Sequence, residues 1–219
     1  MTFEFCLLNL SYAAPCYGTK LPEKLQAVAG LQNYNIFKRY LGHGYGKMRS
    51  TQEFLLLSYG IFDWLSIDLK GGAGWIKEKS PGQDQLNYPS YLAGGYGFRI
   101  RFWHKNNFKA VFGFQHVSAH PKSISVNGIK HKAVLDDWQL SLLASYEFKR
   151  ITPYLGARVS RCDYIHWKDG SRNRVKSDGK KWVGLILGLD LPLTKKCWLN
   201  LEGSFLDADS AAVSINYGF

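Results

Sequence analysis

Long apolar runs are what this chain most plainly lacks. Beyond its N-terminus no stretch reaches the roughly 18 consecutive apolar residues that a membrane-spanning helix needs, so a helical membrane protein is excluded. Cysteine is scarce, with four in 219 residues: Cys6, Cys16, Cys162 and Cys197. Their spacing matches neither a metal site nor a disulfide framework. Cys162 and Cys197 fall toward opposite ends of their expected strands, roughly 25 Å apart at about 3.3 Å per residue, too far to bridge. Nothing resembles a P-loop, a zinc site or a dinucleotide fold. The runs Gly71-Gly72-Ala73-Gly74 and Gly94-Gly95-Tyr96-Gly97 lack the strand-to-helix setting of a phosphate loop. Neither a cofactor nor a metal is therefore expected. Acidic residues are also few, 17 against 28 Lys and Arg, for a formal net charge of +11. The basic residues are spread along the chain without a basic helix or a binding motif, so nucleic acid is not the expected partner.

What is present is alternation. Hydrophobic residues make up 46% and aromatics 15%, yet mean hydropathy stays below zero, so apolar and polar residues must interleave. Segments of about ten residues repeat this with period two. Trp138, Leu140, Leu142, Ala144, Tyr146 and Phe148 oppose Gln139, Ser141, Ser145 and Glu147. Leu199, Leu201 and Phe205 oppose Asn200, Glu202 and Ser204. Leu65, Ile67 and Leu69 oppose Ser66, Asp68 and Lys70, and Tyr96, Phe98 and Ile100 oppose Gly97, Arg99 and Arg101. One face is greasy and the other polar or tiny. The charges on the polar face would be costly in a soluble core unless every one were paired, whereas a barrel lumen accepts them.

The expected fold is therefore all-β: a single up-and-down antiparallel transmembrane β-barrel of about ten strands, the first somewhere in residues 25–40. Connections alternate in length. Tight turns are expected at Phe62-Asp63-Trp64, Lys105-Asn106-Asn107, residues 149–152 and residues 192–195. Long polar links are expected at 42–50, 77–88, 120–132 and 168–180. Short periplasmic and long external connections are the habit of outer-membrane barrels, and put both termini on the periplasmic side. Trp64, Trp75, Trp103, Tyr154, Trp167, Trp182 and Trp198 sit near strand ends, as interfacial girdles would. Residues 1–14 read as the back half of a secretory signal, with apolar Phe3, Phe5, Leu7, Leu8 and Leu10 ahead of small Ala13 and Ala14. The barrel is then residues 15–219. In this setting the positive charge is expected to meet outer-membrane lipids and lipopolysaccharide phosphates at the rims.

The closing segment, with Val213, Ile215, Tyr217 and Phe219 at alternate positions, resembles the signal by which outer-membrane barrels are recognised for insertion. The resemblance implies a bacterial outer membrane and the barrel-insertion machinery as a partner. Two further groups of residues could carry function. The inward set Asp68, Lys70, Arg99, Arg101, Lys109, Arg158 and Glu202 would line a narrow pore or form a salt-bridged plug, the plug being favoured in so small a barrel. The second group lies at the outward end of its strand. His116, Ser118 and His120 share the outward face there, with Asp136 on the same face of the next strand. A hydroxyl, an imidazole and a carboxylate together can activate serine for acyl transfer. This His-x-Ser resembles the site of outer-membrane phospholipase A and of the lipid A 3-O-deacylases. The resemblance implies His116 as base, Ser118 as nucleophile, Asp136 as orienting residue and an acyl substrate from the outer leaflet. Those families commonly place Asn after the serine, where this chain has Ala119. The same residues also read as an ordinary polar rim, leaving a structural or loop-mediated surface role, an esterase and a narrow pore as the open functions.

Overall fold

The computed structural model describes residues 15–42, 45–177 and 182–219; the expected signal, residues 1–14, lies outside them. The described strands are β1 (Ala27–Tyr40), β2 (Lys47–Phe62), β3 (Leu65–Lys79), β4 (Leu86–Lys105), β5 (Phe108–His120), β6 (Ile124–Val126), β7 (Ile129–Tyr146), β8 (Thr152–Lys168), β9 (Ser171–Lys176), β10 (Val183–Pro192), β11 (Cys197–Phe205) and β12 (Asp209–Gly218). Each wall strand pairs antiparallel with the next, and β1 pairs with β12, so the sheet closes. Ten strands make the wall; β6 and β9 are short additions within the loops at one end. Closure removes the open edge on which a terminal strand would otherwise be left.

The four tight turns fall as expected at one end, together with the C-terminus. The long links are much shorter than the sequence suggests. Strands β2, β3, β4 and β7 run into them, leaving 41–46, 80–85 and the β6 hairpin as the connections. The link expected at 168–180 is largely β9, which folds back on β8 from Asp163 to Lys168. The reason lies in the inward residues. In this end of the barrel the polarity of the wall inverts: Lys47, Arg49, Lys77 and Lys79 face out, while Met48, Ile76 and Glu78 beside them are buried. Tyr34, Ile36, Tyr88, Leu135, Tyr164 and Val175 join Met48 and Ile76 in one apolar core inside the barrel. The expected polar inner face thus holds most fully for the half nearer the tight turns, while above it Arg39, Glu78 and Asp137 are buried among these apolar residues.

The other half has the opposite sense. Leu55, Leu57, Ile67, Leu69, Leu142, Leu155, Leu187, Val213 and Ile215 are exposed on its outside, and Asp68, Lys70, Arg99, Arg158, Asp190 and Glu202 are buried inside. An exposed apolar band of this extent around a closed sheet is a lipid-facing belt. Trp64 and Trp103 stand exposed at its tight-turn edge, as interfacial aromatics do. Trp198, expected in that girdle, turns inward and is capped by Lys20 at 3.9 Å from its ring. The level at which the wall inverts bounds the lipid-facing belt on the side away from the tight turns.

Because Ile76 is fully buried in the upper apolar cluster, Ile76→Ala should lose about 2–5 kcal/mol of stability through lost transfer energy and the cavity left behind. Urea unfolding of the barrel in lipid vesicles measures this, and a loss under 1 kcal/mol would mean that the upper half adds little to stability.

Candidate functional site

Two places in the barrel bring chemistry-bearing residues together. In the lumen, Arg99 makes a two-pronged contact with Asp68 at 2.8 and 2.9 Å, and Ser58 and Gln115 also reach that carboxylate. Lys70 lies beside Gln32, with the Tyr17 ring 4.2 Å away. Arg158 binds Asp207 at 2.8 and 3.0 Å, both side chains being fully buried. Two members of the expected cluster stand apart. Arg101 donates to the backbone carbonyl of Asp63, and Lys109 pairs with Glu147, both at the tight-turn rim where their strands leave the wall.

The lumen also holds what sequence patterning did not suggest. Residues 15–24 do not form part of the wall; Cys16, Gly18, Thr19 and Leu21 are buried within the barrel, and Glu23 and Lys24 lie exposed at its tight-turn rim. The Cys16 amide donates to Glu202 at 2.9 Å, and the Gln139 amide group donates to the Cys16 sulfur. Thr19 bonds Ser145 at 2.8 Å. Arg99 donates to the carbonyls of Tyr17 and Lys20 at 3.0 and 2.9 Å. Tyr154 donates to Glu202 at 3.0 Å and accepts from Asn200. Its ring lies over Gly188, where an added Cβ would stand 2.0 Å from the ring carbon Cζ, so that strand position requires glycine. Below, the lumen is closed by this segment and its charge pairs; above, it is closed by the apolar core. Of the expected inward set, Asp68, Lys70, Arg99, Arg158 and Glu202 lie within this filled lumen.

The second place is the outer wall. On β5, Phe112, Phe114, His116 and Ser118 face out in sequence, and on β7 Leu140, Trp138 and Asp136 do the same. The register sets Ser118 against Asp136 and His116 against Trp138. His116 Nε2 meets Asp136 Oδ1 at 2.7 Å. The imidazole is walled by aromatic rings: Trp138 with its centroid at 4.0 Å and Tyr96 at 5.0 Å. Its Nδ1 is buried and has no partner among the described residues. Ser118 Oγ pairs with His120 Nε2 at 2.9 Å, at the exposed end of the strand.

This corrects the expected wiring. Asp136 does hold His116, as anticipated, but the serine's imidazole is His120. In place of a single Asp136–His116–Ser118 chain, His116 bonds Asp136 and Ser118 bonds His120, with the Ser118 hydroxyl also reaching Asp136. Strand geometry accounts for the change: His120 is two residues above Ser118 on the same face, while the side chain of His116 is drawn across to β7. The site sits where the outward stripe changes from Phe114 and Leu140 to polar residues. Beside it opens a cavity of about 730 Å³ lined by Tyr91, Leu92, His120, Lys122, Lys130 and Lys132. Chemically, a serine bonded to an imidazole that can accept its proton, next to a second, carboxylate-held imidazole, is equipped for acyl transfer.

Elsewhere among the described residues, no group of three His, Cys, Asp or Glu side chains is placed to hold a metal ion, and Cys16, Cys162 and Cys197 are all free thiols.

No family model and no curated protein matches the chain. Solved structures do resemble it. The translocator domain of the autotransporter NalP from Neisseria meningitidis has 12% identity and a TM-score of 0.48, over 90% of this chain and 88% of that one. The transport unit of the autotransporter AIDA-I from Escherichia coli has 11% identity and a TM-score of 0.46, over 94% and 92%. Ail, the attachment invasion locus protein of Yersinia pestis, has 8% identity and a TM-score of 0.45, over 90% and 99%. Similarity at this level carries no function across. The closed, ten-stranded wall and its lipid-facing belt by themselves make this chain an integral barrel of the outer-membrane type.

Proposed function

We propose that this outer-membrane barrel hydrolyses acyl esters of lipids in the outer leaflet, with Ser118 as nucleophile. The observation that carries the reading is the pair of hydrogen-bonded contacts, Ser118 with His120 and His116 with Asp136, on the lipid side of the wall at the level of the headgroups. A substrate ester carried by a lipid would meet Ser118 without leaving the membrane. Ser118 Oγ attacks the acyl carbonyl as its proton passes to His120 Nε2, in the tautomer that leaves that nitrogen free. The ester C–O bond breaks, and the departing alcohol takes the proton from His120. Water, activated by the same imidazole, then releases the fatty acid from the serine. The ring of His116, fixed by Asp136, stands two residues below Ser118 on the same face and forms part of the wall beside the serine. The three lysines of the adjoining cavity favour an anionic headgroup.

The filled lumen speaks against a pore. A surface role through the loops needs none of the His116–Asp136 geometry. The test is fatty-acid release by the purified, refolded barrel from mixed micelles of phospholipid and, separately, of lipopolysaccharide. Release from one of them is expected. Absence of release from both, with the barrel folded, would overturn the reading.

A further inference from the structure

A separate feature lies on the upper wall formed by β1, β2 and β3. The register there sets Lys47 directly opposite Lys79 and Arg49 directly opposite Lys77. All four side chains are on the outer face and exposed, since Met48, Ile76 and Glu78 take the inner face between them. Like charges facing each other across an antiparallel pair oppose the pairing, and here two such pairs follow in succession. None of the four makes an ion pair among the described residues. Lys47 lies over the Tyr40 ring and Lys77 over the Trp75 ring, contacts that leave the positive charge uncompensated. Lys38 of β1 joins them around an open cavity of about 620 Å³, floored in part by Phe37. Asp209 is the one carboxylate lining it, and the next outward carboxylate on β2, Glu53, is four residues below Arg49.

We infer that this cavity is a binding site for the headgroup of a phosphorylated lipid of the outer leaflet, its phosphates set between the facing cations. Position selects a lipid. The cluster stands just above the level where the wall inverts, with Thr51 and Trp75 beneath it and the exposed belt residues Leu55, Leu57 and Leu69 below those. An amphiphile can place acyl chains on that belt and phosphates among the cations at the same time, which a free anion cannot do. The site lies on different strands from Ser118 and stands or falls independently of any esterase activity.

The test uses lipid A bearing two phosphates, titrated against the whole purified barrel in a non-ionic detergent and followed by native mass spectrometry. The double variant Arg49→Gln/Lys77→Gln is expected to bind it about thirtyfold more weakly, from the contribution of two basic side chains at a lipid surface. Lys24→Gln/Lys105→Gln, at the other end of the barrel, should bind as wild type does. Without lipid, Arg49→Gln/Lys77→Gln should unfold on heating no earlier than wild type, because repulsion has been removed; that arm separates lost binding from lost folding. Equal binding by the Arg49→Gln/Lys77→Gln variant, equal binding of lipid A stripped of its phosphates, or full competition by inorganic phosphate at equal concentration would each overturn the assignment.

Discussion

Ser118→Ala is expected to reduce fatty-acid release by about 10³-fold or more while the barrel folds and inserts as before. Nucleophile and base act as a unit, so removing either one removes nearly the whole rate. Ser118 is part-exposed on the outer wall and contributes no core packing, so the change should leave heat-modified gel mobility and urea unfolding unaltered. The neighbouring substitutions then assign the roles. His120→Ala should fall nearly as far as Ser118→Ala, because the serine's proton acceptor in this geometry is His120. Asp136→Asn should cost roughly 10²-fold, the scale of one positioned proton-handling group, by releasing His116 from its 2.7 Å contact. If His116→Ala proves as damaging as Ser118→Ala and His120→Ala is harmless, then His116 is the base, as the bare His-x-Ser motif implies. Equal rates for Ser118→Ala and wild type would remove the serine mechanism altogether.

That ambiguity shows where the sequence stops being legible. The outer belt is readable because lipid demands an uninterrupted apolar face and the lumen accepts a polar one, so Leu65, Ile67 and Leu69 against Ser66, Asp68 and Lys70 can mean little else. The placement of His116, Ser118 and Asp136 on one face follows from the same parity and was readable for that reason. Their hydrogen bonds were not, since parity says which face a side chain shares and nothing about which of two histidines a serine meets. In the sequence the upper half of the barrel reads as loop because its outward residues are Lys47, Arg49, Lys77 and Lys79, and charged stretches between apolar segments look like connections. The signal is nonetheless present in part: Met48 sits between Lys47 and Arg49, and Ile76 precedes Lys77, at the same period of two with the hydrophobic sense reversed, although Glu78 takes the inner place between Lys77 and Lys79. Residues 15–24 carried no comparable signal. They are held by Glu202, Ser145 and Arg99, partners 79 to 186 residues away in the chain, and a segment without regular structure has no period to betray where it lies.

Arg158→Met is expected to be among the most destabilising single changes in the barrel, at about 3–5 kcal/mol, because it leaves a fully buried carboxylate without its cation. Asp207 sits at the tip of the short β11–β12 connection, turned inward, with both oxygens taken by the Arg158 guanidinium and one shared with Ser160. The pair does more than neutralise charge. Phe205 and Leu206 beside it are exposed on the outside, Leu206 with a φ of 79°, a backbone conformation that a branched apolar residue adopts only under constraint from its surroundings. The bond from Asp207 to β8 supplies that constraint, tying the tip of the hairpin to the wall strand beyond β10. Two consequences separate this role from a simple charge effect. Asp207→Leu combined with Arg158→Met removes both charges, so the double variant should recover a good part of the loss shown by Arg158→Met alone. It should still leave the β11–β12 tip freer than in wild type, visible as faster proteolysis after Phe205 or Leu206 with the rest of the barrel intact. Urea unfolding in lipid vesicles gives the first result and limited chymotrypsin digestion the second. If Arg158→Met unfolds within 1 kcal/mol of wild type, the buried pair contributes little and the apolar upper core holds the hairpin on its own.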